Sequence, residues 1–339
     1  MKFLFLKCNI ISCFTTFFLL TFLGCNGQKE FGTDILHVEK IIQLPNVKGR
    51  IDHMAINLDE QIIYIAALGN NTVEAVDLKD GKIIKTIDGL DEPQGICYIP
   101  QQHEIVVANG GSGDCIFYNS RNFEKVAVIH LSSDADNVRY DSAERKIYVG
   151  YGNGGLAIIN SQTHQQIGNI KLPAHPESFQ IDKQLQQLFV NLPGANEIGV
   201  IDLKQIKLIN EWKINSATAN FPMALDTIRH LIIAGNRHPA AIIIFDAFTG
   251  KEISSNVIGG DVDDLYFDQE KALIFVSSGS GYINIFKQQN NTVYKQISNI
   301  KTNNGARTSL YVPELKFFIL AARAANGKPA NIVVYKILQ

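Results

Sequence analysis

The chain has 339 residues, 46% of them apolar, which is ample for a large buried core. With 31 basic and 33 acidic residues the net charge is −2, and no block of like charge stands out. That balance gives no long-range field to hold a phosphate backbone and argues against a nucleic-acid partner.

Lys2 and Lys7 flank the start of a nearly uncharged, Phe/Leu-rich run from Cys8 to Leu23, and the small Gly24 then precedes Cys25. This is the layout of a secretory signal peptide, and it is short for a membrane span. Leu23-Gly24-Cys25 resembles the end of a bacterial lipobox, although Phe22 stands where such boxes usually have Leu. The expected organisation is a lipoprotein-type signal at 1–24, a lipidated Cys25, a polar tether over 25–33 and one folded domain over 34–339. A lipid anchor of this kind would hold the protein in the cell envelope, on the periplasmic or the outer-membrane face. Of the remaining cysteines, Cys97 and Cys115 fall on the first and third strands of one predicted sheet. Strands two apart lie roughly 9–10 Å apart, too far for a disulfide, so two buried free thiols are expected.

The folded part is repetitive. Strand-like runs, alternating or β-branched and separated by Gly, Ser, Asn and Asp, recur with a period in the low forties, and long helical periodicity is absent. Each unit opens on a residue followed four positions later by a turn residue. The openings are His53, Gln94, Asn137, Ser178, Pro222, Asp264 and Arg307, with the registers of Gln94 and Arg307 open by one residue. In the first unit the strands read His53–Ile56, Ile62–Leu68, Thr72–Asp77 and Lys82–Asp88. Seven such units predict an all-β, seven-bladed β-propeller of four-stranded antiparallel blades. The last unit has only three strands (Thr308–Val312, Lys316–Ala321, Ile332–Ile337). Ile35–Leu44 is therefore predicted to supply the fourth and so to cover an open sheet edge.

Ile63–Ile87, with Asn71-Thr72-Val73 and Val76-Asp77, resembles the YVTN repeat of YncE-like β-propellers. The similarity extends through GRIDHMA (Gly49–Ala55), EPQGI (Glu92–Ile96), DADNVRYD (Asp134–Asp141), HPESF (His175–Phe179), NFPMALD (Asn220–Asp226), DVDDLYFD (Asp261–Asp268) and GARTSLYVPEL (Gly305–Leu315). The resemblance implies a secreted propeller and no particular activity.

In such blades the loop entering the first strand and the loop between the second and third open on one face, so the opening residues gather at one channel mouth. His53, Gln94, Asn137, Glu177, Asp264 and Arg307, with Arg237 from an outer loop, are the candidate ligand-binding residues. Asp52, Asp136, Ser178 and Asp263 accompany them, and His238 and Arg323 are further loop candidates. His53 is the one histidine expected in the opening ring. Of the neighbours Asp263 and Asp264, strand alternation lets one face the channel, and Arg307 is placed to pair with Asp264. Asn137, Glu177 and Asp264 are the candidate metal ligands, and their oxygens suit a hard cation such as Ca²⁺.

Eight scattered histidines, one tryptophan and no CxxCH sequence argue against the copper, haem and quinone chemistries that propellers support. No GxSxG elbow is present. Two readings follow. The first is a lipid-anchored, monomeric, non-catalytic binding module that uses the mouth for a small ligand, a cation or a protein. The second is a metal-dependent hydrolase at the same mouth, similar to the propeller lactonases.

Overall fold

The computed structural model describes residues 35–338, together with Met1. The signal, Cys25 and the tether lie outside the described residues. Residues 35–338 form seven four-stranded antiparallel sheets. Blade 1 consists of Met54–Asn57, Ile62–Ala67, Thr72–Asp77 and Lys82–Ile87, hydrogen-bonded in that order. The innermost strands of blades 2 to 7 are Pro93–Ile99, Ala135–Asp141, Phe179–Asp182, Thr218–Asp226, Val262–Asp268 and Thr308–Val312. Blade 7 takes its outermost strand from the start of the domain. Leu36–Leu44 pairs antiparallel with Ala330–Ile337, from Leu36 opposite Ile337 to Leu44 opposite Ala330.

Burial explains why these sequences form these strands. Second strands such as Ile62–Ala67 and Glu104–Asn109 are buried at every position, because a sheet covers each of their faces. Outer strands such as Lys82–Ile87 meet solvent at most positions and mix Lys and Thr with Ile. The apolar core is divided into clusters that lie between blades. One holds Tyr64 and Ala75 of blade 1 against Ile105 and Val107 of blade 2. Another joins Ile63 and Ile65 of blade 1 to Ile319 and Ile332 of blade 7, with Ile42 and Leu44 of the closing strand.

The turn after each innermost strand sets its register. Asp141, Asp182 and Asp226 each turn Oδ1 onto the backbone N–H groups two and three residues on, and Asp268 accepts from Lys271 N. These are aspartate turns that hold the hairpin by local bonding. The residues that end the innermost strands are Asn57, Ile99, Asp141, Asp182, Asp226, Asp268 and Val312. In blades 2 and 7 the turn residue is thus Ile99 or Val312, not Tyr98 or Tyr311. The equivalents of His53 there are Gly95 and Thr308, one residue beyond Gln94 and Arg307. Cys97 and Cys115 are free, as expected, but only Cys115 is buried and Cys97 is half-buried. Burial pushes their thiols up to about 11 and about 12.

Candidate functional site

The corrected register sorts the mouth into two stacked rings. Five residues before each turn residue stand Asp52, Gln94, Asp136, Glu177, Phe221, Asp263 and Arg307, and all seven line one cavity of about 190 Å³. The next ring inward is His53, Gly95, Asn137, Ser178, Pro222, Asp264 and Thr308. His53, Asn137, Ser178 and Asp264 of this ring line the same cavity, and Pro222 lines a second chamber of about 330 Å³ further along the channel. His53, Arg139, Ser178 and Asp264 border both chambers. Gly95 has a steric reason: a Cβ there would sit 1.9 Å from the carbonyl oxygen of Asp136. The glycine lets the backbone carrying Asp136 approach blade 2 closely.

Among the predicted residues, His53, Gln94, Asn137, Glu177, Asp264, Arg307 and Arg237 all border the mouth cavity. Arg323 lines a smaller neighbouring cavity, and His238 is exposed and not part of either lining. Two expectations about Asp263 and Asp264 are corrected. The strand pairing shifts between Val262 and Asp264, and this bulge gives both carboxylates access to the cavity. Arg307 pairs not with Asp264 but with Asp261 at 2.6 Å and Asp263 at 3.1 Å. Asp264 instead accepts the backbone N–H of Ser309, in the next blade, at 2.6 Å.

Charge is segregated within the mouth. The arginines near the rim are already engaged: Arg50 with Asp52 at 2.7 Å, and Arg237 with Asp263 at 2.6 Å while stacked 3.6 Å from the Phe221 ring centroid. Arg139 donates to the Val138 carbonyl and the Ser178 hydroxyl. Asp136, Glu177 and Asp264 have no Arg or Lys within ion-pair distance among the described residues; imidazoles neighbour Asp136 instead. The Asp136 carboxylate lies between His53 and His175, 3.7 Å from each Nε2. His53 is therefore not the one histidine of the site. His175 Nδ1 donates to the Gly152 carbonyl at 2.6 Å.

The titration of these groups follows from crowding and dehydration. Burial, then the charge of Asp136, raises Glu177 to about 8. Burial raises Asp264 to about 7, with His53 opposing and Asp263 adding to the rise. Burial also lifts Asp52 to about 6 against the pull of His53 and Arg50. Burial works against the charge of His175, but the nearby Asp136 carboxylate and its bond to the Gly152 carbonyl carry it up to about 9. Asp136 is held below the usual carboxylate range despite burial, chiefly by His175 and His53. Several displaced titrations in one cleft mark it as a functional candidate.

Of the expected metal set of Asn137, Glu177 and Asp264, Glu177 belongs to a group of acidic and imidazole side chains that converge. That group is Asp136, His175 and Glu177, their ligand-capable atoms all lying within 4.8 Å of one another. Arg50, Asp134, Arg139 and His175 also line the cavity and were not among the sequence candidates. His175 was legible in hindsight, because it stands two residues before Glu177 in HPESF.

No family model matches the chain, and no curated protein matches it. Among solved structures, a chain from "Crystal Structure of Mitotic Checkpoint Complex" superposes with a TM-score of 0.76 at 12% identity, covering 100% of this chain and 99% of that one. A chain from "Kuenenia stuttgartiensis Hydrazine Synthase" superposes with a TM-score of 0.73 at 14% identity, covering 86% and 98%. At such identities the likeness is one of fold.

Proposed function

We propose that the protein is a binding module that takes a small, positively charged ligand into the channel mouth. The observation that carries this reading is the convergence of all seven upper-ring positions on one polar cavity whose carboxyls Asp136, Glu177 and Asp264 lack an Arg or Lys partner among the described residues. A cation entering there meets carboxyls that are not paired with the rim arginines, which are engaged with Asp52, Asp261 and Asp263, and it displaces the protons that burial holds on Glu177 and Asp264 near neutral pH. The test is thermal unfolding of the full chain with putrescine, and separately with Ca²⁺, Mg²⁺, Mn²⁺ or Zn²⁺. A ligand at 100 times its Kd adds roughly 2.7 kcal/mol. The expected rise in melting temperature should shrink in Asp264→Asn and Glu177→Gln. No rise with any of these probes refutes the reading.

Metal-dependent hydrolysis at the same mouth is the second reading. It is favoured by the approach of Asp136, His175 and Glu177, and it predicts metal-stimulated opening of simple lactones. The YVTN-like repeats and the Leu23-Gly24-Cys25 sequence support placing the protein in the YncE-like secreted group, anchored by lipid on Cys25 in the cell envelope. Labelled palmitate incorporated by the full chain and lost in Cys25→Ala supports the anchor. Equal labelling of both, or no labelling of either, refutes it.

A further inference from the structure

We propose that Asp136, His175 and Glu177 form a binding site for a single first-row divalent ion of the Zn²⁺ or Mn²⁺ class. The proposal rests on the mouth being a cation-binding site, and it names the cation. Three independent features of the geometry carry it.

The first is convergence. The ligand-capable atoms of the three side chains lie within 4.8 Å of one another. An ion with bonds of roughly 2.0–2.2 Å sets its ligands about 3–4 Å apart, so a contraction of roughly an ångström completes the site. Glu177 and Asp136 reach it from the same ring in adjacent blades, and His175 precedes Glu177 by two residues.

The second is the orientation of His175. Its Nδ1 donates to the Gly152 carbonyl at 2.6 Å, and Asp134 Oδ2 stands 3.4 Å behind the same nitrogen. Nε2 is thereby turned toward Asp136, at 3.7 Å from Oδ2. That separation is too long for a good hydrogen bond but suits two ligands of one ion. An imidazole fixed through one nitrogen by a carbonyl or carboxylate, with the other nitrogen presented to a carboxylate, is the outer support that metal-binding histidines use.

The third is an unpartnered acceptor. Asp136 is 7% exposed and lines the cavity, and its Oδ1, 3.7 Å from His53 Nε2, makes no hydrogen bond among the described residues. A buried carboxylate oxygen left unpaired is costly. A bound ion or its coordinated water would supply the missing partner.

The donor set selects the ion. Ca²⁺ takes six to eight oxygens in a flexible shell, whereas this site offers an imidazole and two carboxylates in a tight cluster. Imidazole favours Zn²⁺ and its neighbours, while carboxylate also suits Mn²⁺. Cavity volume remains on the channel side for water or one small ligand group in the open positions.

The full chain, freed of metal by chelator and dialysed, is titrated with Zn²⁺ and Mn²⁺ by calorimetry, with the Mn²⁺ spin-resonance signal as a second readout. One ion per chain is expected, with Ca²⁺ at least tenfold weaker. Glu177→Gln, which keeps the side-chain volume, and His175→Ala should each weaken binding by about 10-fold or more. His130→Ala, an exposed histidine paired with Asp114 outside the mouth, should change nothing. Each variant's cooperative melt confirms that it is folded. Absence of saturable binding, or equal affinity in wild type and folded His175→Ala, overturns the proposal. If putrescine raises the melting temperature while neither ion binds, the metal site is refuted and the binding mouth stands. If neither putrescine nor any ion acts, both fall.

Discussion

The ring is closed by a strand from the other end of the domain, so truncating one closing side chain should weaken the whole propeller. Leu44 is fully buried, opposite Ala330, and packs in the seam that joins Ile63 and Ile65 of blade 1 to Ile319 and Ile332 of blade 7. Leu44→Ala removes buried methyl groups and leaves a void between rigid sheets, a change that costs about 2–5 kcal/mol. Against a total stability of about 5–15 kcal/mol that is a large fraction. Ile41 lies on the same strand but is 54% exposed, and Ile41→Ala should cost no more than about 0.5 kcal/mol. Urea unfolding followed by Trp212 fluorescence compares the two. Trp212 is the only tryptophan and stacks on Phe189 in blade 4, remote from the seam in the ring. A lower midpoint at Trp212 for Leu44→Ala therefore reports loss of the ring as a unit. Equal midpoints for the two variants, or a seam that melts while Trp212 is unchanged, would refute closure as the source of cooperativity.

Two further outcomes follow from the site. Gly95→Ala should destabilise the fold by about 3 kcal/mol or more, because its Cβ meets the Asp136 carbonyl and two packed blades must separate; a melting temperature unchanged within a degree would contradict the close approach. The pH dependence follows from the raised carboxyls. A carboxyl held at about 7 in the native state and near 4 when unfolded binds more protons folded than unfolded between those values. Stability is therefore greatest in the acidic part of that window and falls as pH rises toward 7. The groups facing Asp264 are His53, Asp263 and Asp52, and Asp264→Asn should reduce the decline in melting temperature between pH 5 and pH 8 while keeping an acceptor for Ser309 N–H. An unaltered decline would show that Asp264 titrates near its ordinary value.

The architecture was legible because a propeller repeats its physics. Alternating strands, fully apolar second strands and Asp turns recur in unit after unit, and the missing fourth strand of blade 7 left Ile35–Leu44 as its complement. The site was less legible because it depends on register to a single residue. Aspartate and asparagine mark the turn in five blades, but blades 2 and 7 turn at Ile99 and Val312, which carry no polar signal. Placing Gln94 and Arg307 one ring too deep concealed that they share a level with Asp52, Asp136, Glu177 and Asp263. Strand alternation also misjudged the Asp263–Asp264 pair, because a bulge is a local backbone event that side-chain periodicity does not encode. His175 stands two residues before Glu177, but the contact with Gly152 that orients it depends on how blades 3 and 4 meet, which no local sequence pattern encodes.

The same segregation of charge implies a conflict between stability and binding at the mouth. The sheets around the channel are fixed by interblade cores that do not involve the upper ring. The scaffold can therefore hold Asp136 and Glu177 close together without a neighbouring Arg or Lys, at a cost that an optimised structural site would avoid. Substituting an amide for Glu177 removes one of two crowded acids while preserving shape, so Glu177→Gln should melt no lower than wild type in the absence of added ions. In their presence the order should reverse, because only the wild type gains stability from a bound cation. A core residue behaves differently, since truncating it lowers stability with and without ions. If Glu177→Gln melts well below wild type in the absence of ions, the carboxyl is part of the scaffold and not held there for a ligand.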